Sequence, residues 1–289
     1  MIPTLRCGRF AIELSRPLIM GVINVTPDSF SDGGRFVDAG HAIEHAFRLI
    51  GEGADIVDIG AESTRPGATA VSQDGEIERL LPVLRALRNE AVPVSVDTMK
   101  PAVMRAAIDE GASLINDINA LRAEGALRAV ADSGAGVCLM HMQGNPATMQ
   151  DAPHYADVVA EVGQFLAGRA AAAQAAGIAR DRISIDPGFG FGKTAEHNMS
   201  ILRDLKEICA IGLPVTFGAS RKTTLGAVTG RPVAERVYAS VAAALLAVER
   251  GAAIVRVHDV APTRDALAVW LAMRGQAMKS TTEIIRELQ

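Results

Sequence analysis

Short apolar runs alternate along this chain with longer stretches whose apolar residues recur every three to four positions. The runs Leu18–Ile23, Asp55–Ile59, Val94–Val96, Leu114–Ile115, Val137–Met140, Ile183–Ile185, Pro214–Phe217 and Ala253–Val255 read as buried strands. The stretches 39–52, 74–89, 101–110, 122–132, 154–176, 197–209, 233–250 and 263–277 read as the helices that follow them. In 233–250, for example, Val237, Val241, Ala244, Leu245 and Val248 form one stripe. Gly53, Gly111, Gly177 and Gly251 stand where left-handed helix ends are expected, and Pro101, Pro232 and Pro262 where first turns tolerate proline. Before the alternation begins, residues 3–14 read as two short strands around Gly8, a hairpin over one end of the main domain. The expected architecture is a single α/β domain, a (β/α)8 TIM barrel over 17–279, with an N-terminal β-hairpin in 1–16 and a C-terminal tail in 280–289. A doubly wound open sheet is second choice, because Gly21 lies inside the first strand and no glycine-rich fingerprint follows it.

Composition narrows the picture. The length of 289 residues suits one barrel, and 49% hydrophobic with only 4% aromatic residues makes the core aliphatic. A net charge of −4 without a basic stripe argues against nucleic-acid binding. Cys7, Cys138 and Cys209 are odd in number and widely spaced, which fits a reducing cytoplasm better than a disulfide framework or zinc site. No secretory signal follows Met1, and no apolar run approaches the ~18 residues a membrane span needs.

In a barrel, chemistry collects at the carboxyl ends of the strands. Each expected strand ends in polar groups: Asn24; Asp58 with Glu62 and Thr64-Arg65-Pro66; Asp97; Asn116-Asp117; His141; Asp186; Ser220-Arg221-Lys222-Thr223; and Arg256, His258 and Asp259. Unpaired buried polar groups cost ~1–3 kcal/mol each, so this pattern suggests one polar ligand in the barrel mouth. Asp97, Asn116 and Asp186 suit a flat heterocycle with N–H and amide edges, to whose carbonyl or ring nitrogen Lys222 could donate. Arg65, Arg256, His258 and Asn24 suit an anion such as phosphate. Asp58 reads equally as the cap of its own turn. His141 reads as a satisfied rim histidine, Asp117 and Asp259 as helix caps or as supports of residues that touch the ligand, Glu62 as ordering its own loop, and Lys193 as solvated in a glycine-rich loop.

Taken together and in order, the segments 20–34 (Met-Gly-Val-Ile-Asn-Val-Thr-Pro-Asp-Ser-Phe-Ser-Asp-Gly-Gly), Glu62-Ser-Thr-Arg-Pro-Gly67, Ser95-Val-Asp-Thr98, Asn116-Asp-Ile118, Met140-His-Met-Gln-Gly144, Asp186-Pro-Gly-Phe-Gly-Phe-Gly-Lys193, Ser220-Arg-Lys222 and Arg256-Val-His-Asp259 resemble the dihydropteroate synthase family over essentially the whole chain. The resemblance implies a cytoplasmic transferase of folate biosynthesis. It would join p-aminobenzoate to 6-hydroxymethyl-7,8-dihydropterin pyrophosphate by an SN1-like path, be open to sulfonamide inhibition, use Mg²⁺, and form a homodimer. It implies Asp97, Asp186, Lys222 and Arg256 as catalytic residues. Asp97, Asn116, Met140, Asp186, Gly218 and Lys222 would form the pterin site, and Asn24, Arg65, Arg256 and His258 the pyrophosphate site. Thr64, Pro66, Phe191, Lys222 and Thr223 would form the p-aminobenzoate pocket, with Asn24 also ligating Mg²⁺. Segments 24–38 and 63–72 would be the two loops that close over the site.

Ala61, Met99, Asn119-Ala120 and Thr223 depart from the residues usual in the family, but none removes an implied catalytic group. A pterin domain of a corrinoid-type methyltransferase would not be expected to keep both the first-loop motif and Ser63-Thr-Arg-Pro66. A non-catalytic pterin-binding paralogue would not need every implied group. An aldolase-like barrel with Lys222 as Schiff-base former explains fewer residues.

Overall fold

The computed structural model describes residues 2–25, 35–63 and 70–288. Strands β1 (Thr4–Cys7) and β2 (Phe10–Glu13) pair antiparallel through a turn at Gly8. The alternation then runs β3 (Leu18–Asn24), α1 (Arg35–Gly51), β4 (Ile56–Gly60), α2 (Gln73–Leu87), β5 (Val94–Asp97), α3 (Pro101–Asp109), β6 (Leu114–Asp117), α4 (Ala126–Ala131) and β7 (Gly136–Met140). It continues α5 (Val158–Ala175), β8 (Ile183–Asp186), α6 (Ala195–Arg203), α7 (Leu205–Cys209), β9 (Thr216–Phe217), α8 (Thr223–Thr229), α9 (Val237–Glu249), β10 (Ile254–Val257) and α10 (Val260–Met273). Among the described residues β3 to β10 form one eight-stranded sheet, each neighbouring pair parallel. The remaining edges, β8 and β9, meet through the parallel bridge Ile185–Val215, where Ile185 N–H donates to the Pro214 carbonyl at 2.9 Å. The barrel is therefore closed, as expected.

Strand alternation sorts the side chains into two layers. Ile19, Ile23, Val57, Ile59, Val96, Ile115, Leu139, Ile185 and Val255 pack outward against the helices. Leu18, Met20, Ile56, Leu114 and Ile254 form a separate cluster inside the barrel. Gly21 permits close packing on the outer layer. A Cβ there would lie 2.9 Å from Leu49 Cδ1 on α1 and 3.2 Å from Val260 Cγ2 on α10. Its role is helix–strand approach.

Two expectations are corrected. The segment expected as a tail folds into α11 (Thr281–Ile284) and β11 (Ile285–Glu287), and β11 pairs antiparallel with β2. The N-terminal hairpin is thus the larger part of a three-stranded sheet, and Leu5, Cys7, Phe10, Ile12, Ile284 and Ile285 plug the amino end of the barrel. Helix 197–209 is split at Asp204, and the expected helix 233–250 is preceded by α8, a short helix that periodicity did not reveal.

Candidate active site at the carboxyl end of the barrel

The inward-facing positions one layer above the apolar interior are polar. Asp58 lies in the middle of β4, fully buried, rather than capping a turn. Its Oδ2 accepts from Arg256 Nε at 2.6 Å and from Asn116 Nδ2 at 3.1 Å. Arg256, on β10, also donates from Nη2 to Asp97 Oδ2 at 2.9 Å at the end of β5. One guanidinium therefore bridges two carboxylates across the barrel. Burial works against its charge, but Asp58 and Asp97 outweigh burial and raise its pKa. Asp97 moves the other way from an ordinary carboxylate. Burial, with the charges of Asp58, Asp117 and Glu76, raises its pKa against the pull of Arg256.

Asp186 ends β8 opposite this group. Its Oδ1 accepts from Gly188 N–H at 2.6 Å, which ties it to the following loop. Burial pushes its pKa up to about 6, opposed by that hydrogen bond and by Arg256, Lys222 and Lys193. Gly218 leaves space beside it, since a Cβ there would sit 3.9 Å from Asp186 Oδ2 and 3.6 Å from Arg256 Cβ. Met140 joins Ile118, Met142, Met149 and Phe191, with Met99 against them, in a small apolar cluster of the loop side. Asp97, Asn116, Met140, Asp186, Gly218 and Arg256 are thus brought to one end of one barrel.

The Lys222 ammonium lies over the Phe191 ring, 3.9 Å from its centroid. It is aimed there by its neighbour. Arg221 adopts φ +59°, its N–H donates to Ser240 Oγ at 2.9 Å, and its guanidinium grips Asp259 at 2.6 and 3.1 Å. That strained backbone turns Arg221 away and Lys222 back over Phe191. Thr223 is exposed at the first position of α8, where a helix leaves backbone N–H groups unpaired. His258 is fixed by Ser220, whose Oγ accepts from its backbone N–H at 3.1 Å and lies 3.0 Å from Nδ1. Burial, then Arg256 and Arg221, hold its pKa down to about 3, so the imidazole is neutral at pH 7. Asn24 is exposed at the end of β3, in register with Gly60, which is in register with Asp97. Thr64, Arg65 and Pro66 lie outside the described residues.

Lys193 corrects the sequence reading. It is 3% exposed, and its Nζ lies 2.9 Å from His141 Nδ1 and 3.0 Å from the carbonyls of Gly188 and Phe191. It pins the loop that carries Phe191 onto the end of β7. The glycines of this loop make the close approach possible. A Cβ on Gly188 would lie 1.9 Å from the His141 carbonyl oxygen, and one on Gly192 would lie 2.7 Å from that of Gln143. Lys100 likewise links Glu62, at 2.8 Å, to the buried Glu76, at 2.7 Å, while Glu62 accepts from Val71 N–H at 2.8 Å. Glu62 orders its loop, as expected. Asp117 accepts from the N–H groups of Asn119 and Leu121, both at 2.7 Å, so it closes the turn after β6 and caps no helix, α4 beginning only after Gly125.

Comparison with known proteins agrees with this geometry. A family model described as a pterin binding enzyme matches residues 20–258. The dihydropteroate synthase of Neisseria meningitidis serogroup B is 52% identical over 275 residues, 93% of this chain and 96% of that one. A Xanthomonas albilineans dihydropteroate synthase solved with 4-aminobenzoic acid superposes with a TM-score of 0.89 at 54% identity, covering 95% of this chain and 99% of that one. A Burkholderia cenocepacia dihydropteroate synthase complexed with 7,8-dihydropteroate gives 0.86 at 51% identity, covering 95% and 98%. The chain belongs to the pterin-binding enzymes and, among them, to the dihydropteroate synthase family of transferases.

Proposed function

We propose that this barrel condenses 6-hydroxymethyl-7,8-dihydropterin pyrophosphate with p-aminobenzoate to give 7,8-dihydropteroate and pyrophosphate. The observation that carries the reading is the polar layer in which Arg256 bridges Asp58 and Asp97 beside Asn116 and Asp186. Asp97, Asn116, Asp186 and Lys222 would hold the pterin edge, with Met140 at its side and Gly218 leaving room for it. Asn24, Arg65, Arg256 and His258 would hold the pyrophosphate. Phe191, Lys222 and Thr223, with Thr64 and Pro66, would receive p-aminobenzoate, and sulfonamides of the same shape would compete there.

The chemistry needs no covalent nucleophile. Loss of pyrophosphate leaves a methylene cation delocalised into an electron-rich ring. The negative charges of Asp97 and Asp186 stabilise that spreading positive charge, and Arg256 and Arg65 stabilise the departing anion. His258 is neutral in the free chain, and an adjacent pyrophosphate would favour its charged form. The arylamine, held by its carboxylate near Lys222 and Thr223, then attacks the methylene carbon and releases a proton. Closure of the segments that follow β3 and β4 would keep water from trapping the cation as an alcohol; α1 already begins at Arg35, and residues 26–34 and 64–69 lie outside the described residues.

A Mg²⁺ ion fits this arrangement as a substrate-borne ion. Among the described residues no three His, Cys, Asp or Glu side chains cluster to hold a metal, but Mg²⁺ is commonly held by one or two protein oxygens plus phosphates and water. Asn24 would supply the protein oxygen, and the ion would neutralise charge on the leaving group. A cytoplasmic homodimer is the accompanying proposal. Val269, Met273 and Tyr238, exposed on α9 and α10, are apolar surface that a second copy could cover. Among the described residues no helix is long and apolar enough to cross a membrane.

Purified protein is mixed with Mg²⁺ and both substrates, and dihydropteroate is followed by chromatography. Product that requires both substrates is expected. Pterin binding without product would overturn the catalytic reading in favour of a binding module.

A further inference from the structure

Asp58 belongs to none of the substrate groups above, yet it is the fully buried carboxylate on which two of them converge. A single oxygen, Oδ2, receives both Arg256 Nε and Asn116 Nδ2, while Oδ1 has no hydrogen-bond partner among the described residues. An ionised carboxylate only accepts hydrogen bonds. The Asn116 amide beside it is therefore oriented, with its NH₂ against Asp58 and its carbonyl oxygen turned away. Arg256 is held at the same atom, and its other arm is spent on Asp97. Asn116 has little freedom to do otherwise, since it is 4% exposed and in register between Asp97 and Cys138.

We propose that Asp58 is a positioning residue that sets the hydrogen-bond polarity of the heterocycle site, forcing Asn116 to present an acceptor oxygen and holding Arg256 in place. The site then accepts N–H groups at Asn116 and disfavours a ring that offers a lone pair there. This rests on the reading of Asn116 as a pterin ligand.

The test is a donor–acceptor swap. Equilibrium binding of 6-hydroxymethyl-7,8-dihydropterin pyrophosphate is measured without p-aminobenzoate. KM for p-aminobenzoate is measured separately, and thermal melts check folding. Asn116→Asp faces one carboxylate with another and is expected to weaken pterin binding about 100-fold, and about tenfold more than Asn116→Leu. Adding Asp58→Asn restores an amide–carboxylate pair with the roles exchanged and is expected to recover at least about tenfold over Asn116→Asp alone. KM for p-aminobenzoate should change less than about threefold throughout. A swap that binds no better than Asn116→Asp overturns the proposal. Should Asp58→Asn not fold, Asn116→Asp binding as well as Asn116→Leu overturns it too. Wild-type binding by Asn116→Leu would instead sink the reading of Asn116 as a ligand, a separately visible failure.

Discussion

Lys193 Nζ lies 2.9 Å from His141 Nδ1, both side chains being buried. In its ammonium form Lys193 has no lone pair to offer, so below about pH 7 Nδ1 accepts from it and the neutral imidazole carries its proton on Nε2. Burial, reinforced by Lys193, accordingly holds the His141 pKa down to about 3, and burial lowers that of Lys193 to about 7. The unfolded chain takes up a proton on His141 near 6.5, whereas the folded chain does not until about 3. Stability from this group is therefore lost as pH falls from 6.5 toward 3. His141→Gln keeps an acceptor for Lys193 without a titrating group. Its denaturation midpoint should fall less than the wild type's on acidification, by the equivalent of about 2 kcal/mol at pH 5. Equal slopes for the two proteins would count against the pairing.

At the other end of the barrel, Arg16 donates to both oxygens of the fully buried Asp55 at 2.8 and 2.7 Å. Asp55 also accepts from Ile19 N–H and from Thr281 at 2.9 Å, so the pair ties β3 to the start of α11. Arg16→Ala would leave a buried carboxylate without its counter-charge, at a cost of about 3–5 kcal/mol. Urea unfolding should show that loss, while kcat at low temperature stays near wild type. A midpoint within error of wild type would show the pair to be energetically neutral.

Gly218→Ala separates folding from recognition. The added methyl would meet Asp186 Oδ2 at 3.9 Å and Arg256 Cβ at 3.6 Å, ordinary contact distances that require no backbone shift. The variant should melt within a few degrees of the wild type. Its methyl fills space in the proposed pterin site, so KM for the pterin substrate should rise about tenfold with KM for p-aminobenzoate little changed. An unchanged pterin KM would move the ring away from β9.

The barrel and most of its mouth were legible because strand alternation is simple. Asp97, Asn116, Asp186 and Arg256 sit at the ends of apolar runs, where the fold has to point them inward and upward. Asp58 stayed open between a turn cap and a site residue although the pattern decides it, since an acid within Ile56-Val57-Asp58-Ile59 falls on the inward face of a fully buried strand. Lys193 was illegible for a different reason. Glycines beside a lysine suggest a solvated loop until the chain folds back close enough that Gly188 can bear no side chain. The strand β11 spans three residues and β9 two, too few for periodicity to register. Arg16 and Asp55 are 39 positions apart, and nothing local marks them as partners.

Asp186 makes the active-site reading testable by pH. Its carboxyl is pushed up to about 6, chiefly by burial, and Asp97 is raised in the same direction. If these carboxylates must be ionised to stabilise the pterinyl cation, kcat/KM for the pterin substrate should fall as pH drops through about 6, well above the ordinary carboxylate range. Asp186→Asn keeps an acceptor for Gly188 N–H but removes the charge. It should slow turnover about 10²–10³-fold while leaving the melting temperature close to wild type. It should also shift the acid limb, because one of the two carboxylates that produce it is gone. A wild-type limb centred near pH 4, or an Asp186→Asn enzyme with unaltered turnover, would move the charge stabilisation from Asp186 to another group.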